Sequence, residues 1–593
     1  MSTDFDEVDE IFAAALAKRG APTIAYGVMH GNELVHAAGV ADDGHAVPTA
    51  DHVFRIASMT KSFTAAAVLL LRDEGQLGLD DPVELHVPAL ENLVLPTADS
   101  PALTIRHLLT MSGGLPTDDP WADRQEAMQR KEFSELLSNR LSFIAAPGTT
   151  FEYSNLGYAI LGRVITEVAG MSYHDVIRSR LIEPLGMTQS TLDIADVPSS
   201  VRMQGYRRVD DVWVTEPFTG PGEFSALGGL CSSVTDIAKW VRWLSSAALH
   251  RADGTSVLSA SARREMQQQH RAIPPSATLN VTDGSVNVVA AGYGFGLVVE
   301  QHLRFGDIAS HSGGYPGFGT HMRWHMATGT GVIALSNGTY SGMSRPASAA
   351  LDAVLRRHSA PSRIVTPAPA SWAAKREVQR LLVEWNDDAA DDLFADNVDL
   401  DEPRSRRKAA IAKAVKRVGP AVAGPAEPGE TSEPTTEVVE ADTAAHLSWW
   451  STHQHGRIHV SMMLTPHNEP LVQTLTVRAV PTPSESLVET VAQICAALGA
   501  EQPQWPTAVP VEPAVDTAAV VSAAIVARRF GVAVTPMWPA TAGNGTTSAT
   551  VDVGAGAWQL SLGMHDTTLQ VTSCSLVPKP MTSEDHVRVL RPG

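Results

Sequence analysis

An uninterrupted apolar run from Ala65 to Leu71 is the feature that most restricts how this chain can fold. A helix formed by this run has no polar face, so it has to be buried on every side at the centre of a large domain. Gly75 is a natural position for such a helix to end. The polar stretch from Ser58 to Lys61 directly precedes the run and is therefore predicted to form the first turn of a buried helix.

The composition sets broad limits on function. The 593 residues are 44% hydrophobic and 19% charged, which is enough apolar material for a large core, and the length predicts about three to four domains. The net charge of −20 disfavours nucleic acid and anionic membranes as partners, because binding to either needs clusters of lysine and arginine. We therefore expect a globular protein that binds neither.

The cysteines and the N-terminal stretch favour a cytoplasmic location. Cys231, Cys495 and Cys574 are too few and too widely spaced for a disulfide framework or a zinc-binding pattern. The stretch from Asp4 to Glu10 is acidic, whereas a secretory signal peptide begins with a basic region. No apolar run approaches the ~18 residues that a membrane-spanning helix requires.

Predicted strands at both ends of residues 1–358 indicate one large α+β domain. Residues 23–30 and 33–41 are typical of two strands joined by a tight turn, and strands are predicted again at 292–300, 320–326 and 331–338. Helical segments fill the region between them. This order predicts an antiparallel sheet closed by the two ends of the domain, with flanking helices and an inserted helical region.

The remainder of the chain is predicted to form smaller accessory domains. Residues 359–370 are rich in proline and small residues and are predicted to be a linker. Two small α+β units are predicted to follow, over residues 366–482 and 483–593. A loose repeat, in which "GRIHVSMML" resembles "GAWQLSLGM", indicates that the second duplicates the first, with convergence as the alternative.

Ser58 and Lys61 form a pattern that can carry nucleophilic catalysis. Helix positions three apart share a face, so both side chains can reach the same substrate atom. A serine hydroxyl is a weak nucleophile until a neighbour accepts its proton, and a partly desolvated lysine has a lowered pKa and can do so. The structural alternative is that Ser58 is only a helix N-cap, a position that serine favours.

The stretch Tyr153-Ser154-Asn155 is a second candidate, and it precedes another apolar helix. In an extended segment, residues two apart project to the same side, so Tyr153 and Asn155 would face one site together. A tyrosinate can act as a general base, and an asparagine amide can hold a carbonyl or orient a lysine. An ordinary helix entry is the alternative for this stretch.

A third candidate is His311-Ser312-Gly313-Gly314, which lies just before a predicted strand. The two glycines leave room for a ligand to lie against the backbone and pair as an extra strand. A backbone N–H there, together with that of Ser58, could form an oxyanion hole. A glycine-rich hairpin with a solvated histidine is the alternative.

In this order, the three stretches resemble the serine β-lactamase and penicillin-binding-protein superfamily, in particular its class C β-lactamase-like branch, which includes esterases and D-aminopeptidases. The resemblance extends over about residues 8–357. Further stretches that support it are "LTIRHLLTMSGGLP", "EPLGMTQST" and "SALGGLCSSVTDIAKWVRWL". The first of these differs from the usual Ser-Gly-Leu turn of the family by one residue.

The resemblance implies a role for each matched residue. Ser58 matches the nucleophile, Lys61 the lysine that activates it, and Tyr153 the tyrosine proposed as general base and proton shuttle. The matched substrate-binding positions are Asn155, His311, Gly313 and Gly314. Among these, the backbone of Gly314 is implied to be the second oxyanion donor. No cofactor is implied.

His311 departs from many β-lactamases of the superfamily, which have a lysine at this position. A lysine offers a fixed positive charge to the carboxylate of a substrate such as penicillin, whereas a histidine is mostly neutral at pH 7. We therefore expect inefficient β-lactam hydrolysis. His-x-Gly is similar to the D-aminopeptidase branch and also occurs among the esterases.

The expected function is that of a serine hydrolase, which cleaves ester or amide bonds of a small molecule or short peptide through an acyl-enzyme on Ser58. Two alternatives stay open, a transacylase of the same fold and a β-lactam-binding or acyl-binding sensor that turns over slowly. Assembly into a homo-oligomer is also left open.

No metal site is expected from the histidines. His321 and His325 have the spacing of helical zinc ligands, but the region is predicted to be a strand and no glutamate follows the first histidine.

Overall fold

The computed structural model describes residues 5–18, 20–119, 121–139, 141–248, 257–279, 286–302, 304–422, 439–529, 531–537, 547–554, 558–565, 567–578 and 587–590. The chain divides into two compact units, residues 1–276 with 289–360 and residues 277–288 with 361–593. Every helix in the described part of the chain is too short or too polar to cross a lipid bilayer.

A large sheet and surrounding helices are formed by residues 5–357. The strands are β1 (Thr23–His30), β2 (Glu33–Ala41), β3 (Phe54–Arg55), β4 (Tyr206–Val209), β5 (Val212–Thr215), β6 (Cys231–Ser232), β7 (Arg271–Leu279), β8 (Val286–Tyr293), β9 (Val298–His302), β10 (Gly306–Tyr315), β11 (Phe318–His325) and β12 (Gly331–Ser336). The helices are α1 (Asp6–Ala17), α2 (Thr60–Asp73), α3 (Ile105–Leu109), α4 (Arg130–Ser138), α5 (Asn155–Ala169), α6 (Tyr173–Ile177), α7 (Ser225–Gly228), α8 (Val234–Ala248), α9 (Ala260–Met266) and α10 (Ser344–Arg357).

The two ends of this region meet in an eight-stranded sheet with the order β2-β1-β12-β11-β10-β9-β8-β7. Strand β1 pairs antiparallel with β2 on one side and with β12 on the other. Gly31 and Asn32 form the turn between β1 and β2 with φ values of 58° and 75°, the left-handed conformation that a tight hairpin favours. The predicted antiparallel sheet, closed by both ends of the domain, is confirmed.

Both faces of the sheet are covered. Along β1, Ala25 and Met29 lie in the apolar core that contains α2. The alternate residues Ile24, Tyr26 and Val28 lie in a second core, with α1 and α10. Successive side chains of a strand point to opposite faces, so this alternation places helices on either side of the sheet.

Helix α2 is the central helix that the apolar run predicts. All side chains from Thr60 to Leu71 are buried. Phe63 stacks on Trp240 of α8 with 3.7 Å between the ring centroids. The helix ends at Asp73 and is followed by Gly75 in the left-handed conformation, with a φ of 74°.

One predicted strand, residues 292–300, is interrupted. Strand β8 ends at Tyr293 and β9 begins at Val298. Between them, Gly296 has a φ of 69°, and a Cβ atom on it would lie 2.5 Å from the carbonyl oxygen of Lys61. Only glycine permits this approach, so the chain leaves the sheet here to pack against the beginning of α2.

The second unit contains two four-stranded sheets. Its helices are α11 (Pro369–Val383), α12 (Asp387–Leu393), α13 (Asp396–Asp401), α14 (Arg404–Val418), α15 (Glu485–Gly499) and α16 (Thr517–Arg529). Its strands are β13 (Arg363–Val365), β14 (Val439–Thr443), β15 (His446–His453), β16 (Gly456–Leu464), β17 (Val472–Pro481), β18 (Pro536–Met537), β19 (Ser548–Val553), β20 (Trp558–Met564), β21 (Val571–Pro578) and β22 (Val587–Val589).

Strands β14–β17 and β18–β21 each follow the chain order across their sheet. One apolar core contains Trp449 and Val460, and another contains Leu560 and Cys495. The segment 359–370 contains β13, which pairs parallel with β22, and the first residues of α11. The predicted domain boundaries and the proposed duplication stay predictions.

Candidate active site

Ser58 and Lys61 lie at the beginning of α2, where the chain turns sharply. Residues 57–59 form a 3₁₀ turn, and Ala57 has a φ of 51°, a left-handed conformation that is uncommon for a residue with a Cβ atom. Ser58 is 6% exposed and Lys61 is fully buried. The Nζ atom of Lys61 lies 2.9 Å from the Oγ atom of Ser58, within hydrogen-bond distance. The spacing of three residues therefore brings the two groups together, as predicted.

Two further acceptors surround the amine of Lys61. Its Nζ atom lies 2.7 Å from Oδ1 of Asn155 and 2.8 Å from the carbonyl oxygen of Leu227. With Ser58, these make three acceptors for the three N–H donors of an ammonium group. The amine is thus held in one place, against the nucleophile candidate.

Two opposing effects set the pKa of Lys61. Burial disfavours the ammonium form and lowers the pKa of this lysine to about 8. The carboxylates of Asp123, Asp119 and Asp118 act in the opposite direction and raise it. A lysine with this pKa is neutral in part of the population at neutral pH, and the neutral form can accept a proton from serine.

The loop that carries these aspartates also fixes the beginning of α5. Oδ1 and Oδ2 of Asp118 accept hydrogen bonds from the backbone N–H groups of Asn155 and Leu156, both at 2.7 Å. Negative charge is favoured at the N-terminus of a helix, where the N–H groups have no partner within the helix. Asp119 accepts a hydrogen bond from Nδ2 of Asn155. The amide is therefore oriented with its oxygen toward Lys61.

Tyr153 lies beside the Ser58–Lys61 pair, as its position before α5 predicts. The Nζ atom of Lys61 lies 5.0 Å from the centroid of its ring. Burial raises the pKa of the Tyr153 phenol well above its ordinary value, and a hydrogen bond with Ser58 offsets only part of this effect. These surroundings favour a neutral phenol over the tyrosinate that the sequence suggested as a base.

His311 is buried on β10, with both ring nitrogens in use. Its Nδ1 lies 2.6 Å from the carbonyl oxygen of Ser312, and since a carbonyl can only accept, Nδ1 carries the proton. Nε2 lies 3.0 Å from the hydroxyl of Tyr293, which donates to it. Burial, together with the nearby Lys61, lowers the pKa of His311 to about 3. This histidine is neutral and offers no positive charge to a substrate.

The two glycines of this stretch have different neighbours. A Cβ atom on Gly313 would lie 2.3 Å from the carbonyl oxygen of Ile56 and 3.0 Å from Cβ of Ala57. Gly313 therefore allows β10 to pass directly over the backbone that leads to Ser58. A Cβ atom on Gly314 would instead lie 2.8 Å from the ring of Tyr340.

Strand β10 has a free edge at the candidate site. It pairs with β11 as far as Tyr315, but its pairing with β9 ends at Ser310. Among the residues that the structure describes, positions 311–315 are thus paired along one edge only. An extended ligand could add to the other edge through backbone hydrogen bonds.

Sequence reasoning missed Asp118, Asp119, Asp123 and Tyr293. The aspartates had a visible signal, because three of them occur within six residues directly after the turn at Pro116. Tyr293 had no local signal. It approaches His311 only because its partner in β9, Val298, pairs in turn with Ser310.

Each of the two histidines considered as metal ligands has at least one ring nitrogen in a hydrogen bond. On β11, Nδ1 of His321 lies 2.8 Å from Oγ of Ser312, and Nε2 of His325 lies 2.7 Å from the carbonyl oxygen of Phe305. Within the described ranges, no group of three or more histidine, cysteine or acidic side chains is arranged to hold a metal ion.

Similar proteins are found among bacteria and archaea. Penicillin-binding protein 4* of Bacillus subtilis (strain 168) is 30% identical over 48% of this chain and 60% of its own length. Protein flp of Staphylococcus aureus (strain N315) is 27% identical over 48% of this chain and 52% of its own length. The chain thus spans between half and two thirds of these two relatives.

A solved structure and a family model cover more of the chain. The octameric penicillin-binding protein homologue from Pyrococcus abyssi is 20% identical, with a TM-score of 0.51 over 80% of this chain and 100% of that chain. At this identity the likeness shows the fold alone. The Beta-lactamase family model matches residues 8–356. Since this is more than half of the 593 residues, the chain belongs to the beta-lactamase family.

Proposed function

We propose that this chain is a serine hydrolase that cleaves ester or amide bonds of small substrates through an acyl-enzyme on Ser58. The observation that carries the proposal is the 2.9 Å approach of Lys61 Nζ to Ser58 Oγ. The lysine is fully buried, and burial lowers its pKa to about 8. Nucleophilic serines need an acceptor for their proton in this position, with a pKa near the working pH.

The first half of the reaction acylates Ser58. Its Oγ attacks the substrate carbonyl while neutral Lys61 accepts the hydroxyl proton. The N–H groups of Ser58 and Gly314 donate to the oxyanion, and each such donor contributes about 3 kcal/mol. The phenol of Tyr153 gives its proton to the leaving alcohol or amine as the bond to the carbonyl carbon breaks. Lys61 then returns a proton to Tyr153.

The second half releases the product. A water molecule attacks the acyl-enzyme carbonyl, and its proton passes to the neutral amine of Lys61. The same two N–H groups stabilise the second oxyanion. The bond between the carbonyl carbon and Ser58 Oγ breaks, and the serine regains its proton from Lys61. The acid product leaves, and no cofactor takes part.

The substrate class follows from the neutrality of His311. With Nδ1 bonded to Ser312 and Nε2 to Tyr293, this side chain has no free donor and no charge for a substrate carboxylate. We therefore propose short esters or D-amino-acid amides as substrates, in preference to β-lactams. Turnover of nitrocefin at the rates of a resistance enzyme would contradict this preference.

Hydrolysis of p-nitrophenyl acetate tests the proposal when nitrophenol release and intact protein mass are followed together. We expect release well beyond one equivalent from the native chain and none above background from Ser58→Ala. Ser62→Ala, one turn further along α2, is the matched control and should retain turnover. A stable acetyl adduct after a single burst would instead indicate a sensor. Equal turnover by Ser58→Ala would exclude the mechanism.

Two further proposals concern the whole protein. We propose that the chain works in the cytoplasm, which is supported by its few and widely spaced cysteines. We also propose that it self-associates, since one relative of similar fold is octameric. Cell fractionation and light scattering of the purified protein test the two independently.

A further inference from the structure

The loop after β12 places an aromatic ring at the end of the free edge of β10. Tyr340 lies against Gly314, since a Cβ atom on that glycine would be 2.8 Å from Cδ1 of the tyrosine. Tyr340 is 41% exposed, so part of its surface is open to an incoming molecule. The ring therefore stands beside the backbone N–H that the proposed function uses as an oxyanion donor.

The hydroxyl of Tyr340 connects this strand to the acidic loop. It donates to Oδ2 of Asp123 at 3.0 Å. Asp123 is only 2% exposed, and its carboxylate interacts electrostatically with Lys61. Tyr340 thus bridges two walls of the site, one formed by β10 and the other by the loop that carries Asp123.

The backbone of Tyr340 is held in an uncommon conformation. Its φ of 50° is left-handed, which costs free energy for an aromatic residue. Its N–H group donates to the carbonyl oxygens of Phe318 and Tyr315, at 3.2 and 3.4 Å. The preceding Thr339 accepts from the N–H of Gly317 at 2.8 Å. These contacts fix the ring relative to β10, so it can act as a rigid wall.

The position of the Tyr340 ring can be compared with the places that the leaving group and the acyl group of a substrate would occupy. In the proposed mechanism Tyr153 protonates the leaving group, and its ring centroid is 6.3 Å from that of His311. Gly314 lies three residues further along β10, which is about 10 Å in a strand. The leaving group therefore departs on the His311 side of the reacting carbonyl, and the acyl group extends on the other side, past the oxyanion donor Gly314 to Tyr340.

We propose that Tyr340, anchored by Asp123, is a specificity-determining residue that closes the end of the acyl-binding part of the cleft and restricts the acyl group to a short chain. This inference rests on the proposed function and specifies its substrate class as esters or amides of small acids. The ring limits the length of the acyl chain, and the hydrogen bond from its hydroxyl to Asp123 keeps the ring in place.

A series of esters that share one leaving group and differ in the length of the acyl chain tests the proposal. The measurement is kcat/KM for the p-nitrophenyl esters of acetate, butyrate and octanoate, with each variant checked by thermal unfolding. Tyr340→Asn removes the ring with a residue that tolerates the left-handed conformation. We expect it to raise the ratio of octanoate to acetate by about tenfold or more, as pocket size typically discriminates. Tyr340→Phe, which keeps the ring but loses the bond to Asp123, should raise the ratio by less than Tyr340→Asn does.

Two controls separate this inference from the proposed function. Tyr206→Ala removes a ring that packs against His45 and should leave the ratio unchanged. Tyr340→Gly, which also suits positive φ, should show the same rise as Tyr340→Asn and replaces it if that variant unfolds. An unchanged ratio in a folded variant, with turnover that still depends on Ser58, would overturn the role of Tyr340 alone. Turnover that survives Ser58→Ala would overturn the proposed function instead.

Discussion

Lys61 and Lys375 are both fully buried, yet they lie in very different surroundings. Lys61 has the hydroxyl of Ser58 at 2.9 Å and the amide oxygen of Asn155 at 2.7 Å. Lys375, in α11, has Oε1 of Gln379 at 3.2 Å and the ring of Trp449 5.3 Å away. Burial alone therefore does not mark a base. A nucleophile within hydrogen-bond distance does.

The two sites also differ in where their parts come from. Among the contacts of Lys375 are Gln379, one turn along its own helix, and the ring of Trp449 in β15. Lys61 is hydrogen-bonded to Asn155 in α5 and to the carbonyl oxygen of Leu227 in α7. It also interacts electrostatically with the aspartates of the loop around Asp119. Groups from distant parts of the chain that converge on one amine are typical of a catalytic site, since each has to be positioned separately.

The largest expected effect is at the buried amine of the candidate site. Lys61→Met removes the proton acceptor of Ser58 and should lower kcat/KM for p-nitrophenyl acetate by about 10³-fold, the range of general acid–base contributions. Steady-state kinetics measure the effect. The matched control is Lys375→Met, the same change at the other buried lysine. Equal losses in both variants would show that the effect on Lys61 is structural.

The next effect is at Tyr153. Because the phenol is neutral, its proposed task is to give a proton to the leaving group rather than to accept one. Tyr153→Phe should lower kcat/KM by about 10²-fold for an amide substrate such as D-alanine p-nitroanilide. The loss should be smaller for p-nitrophenyl acetate, whose leaving group needs no proton. Equal losses for both substrates would contradict this role.

The acidic loop should control the pH dependence. Activity requires neutral Lys61, so kcat/KM should rise with pH and level off above the pKa of about 8. Asp119 raises that pKa, so Asp119→Asn should lower it and move the rising limb of the pH profile to lower pH. An asparagine oxygen can still accept from Asn155, which preserves the hydrogen bond.

A pH profile from 5.5 to 10 with p-nitrophenyl acetate measures this displacement. Glu135→Gln is the control, because it removes one negative charge from the exposed surface of α4. The rising limb of the pH profile of Glu135→Gln should lie at the same pH as that of the native chain. Movement of the Asp119→Asn limb to higher pH would show that Lys61 is not the group that titrates.

Local sequence patterns predicted which helix and which side chains form the site, but they did not predict the pKa values of those side chains. The apolar run after Lys61 required a buried helix, and the sequence positions of Ser58 and Tyr153 indicated that both side chains face the amine of Lys61. The pKa values depend on groups that meet only in the folded chain, such as the loop of Asp119. The break at Gly296 was missed for the same reason, since the atom that excludes a side chain there belongs to Lys61.

The smallest expected effect is at the other buried lysine. Lys375→Met replaces an amine with an apolar side chain of similar length beside Trp449, in a helix outside the family-matched residues 8–356. Lys375 takes no part in the proposed mechanism, so the reaction should not depend on it. We expect kcat/KM to stay within about twofold of the native value in a variant that thermal unfolding shows to be folded. A large loss of activity in a folded variant would show that buried lysines of both units support the reaction.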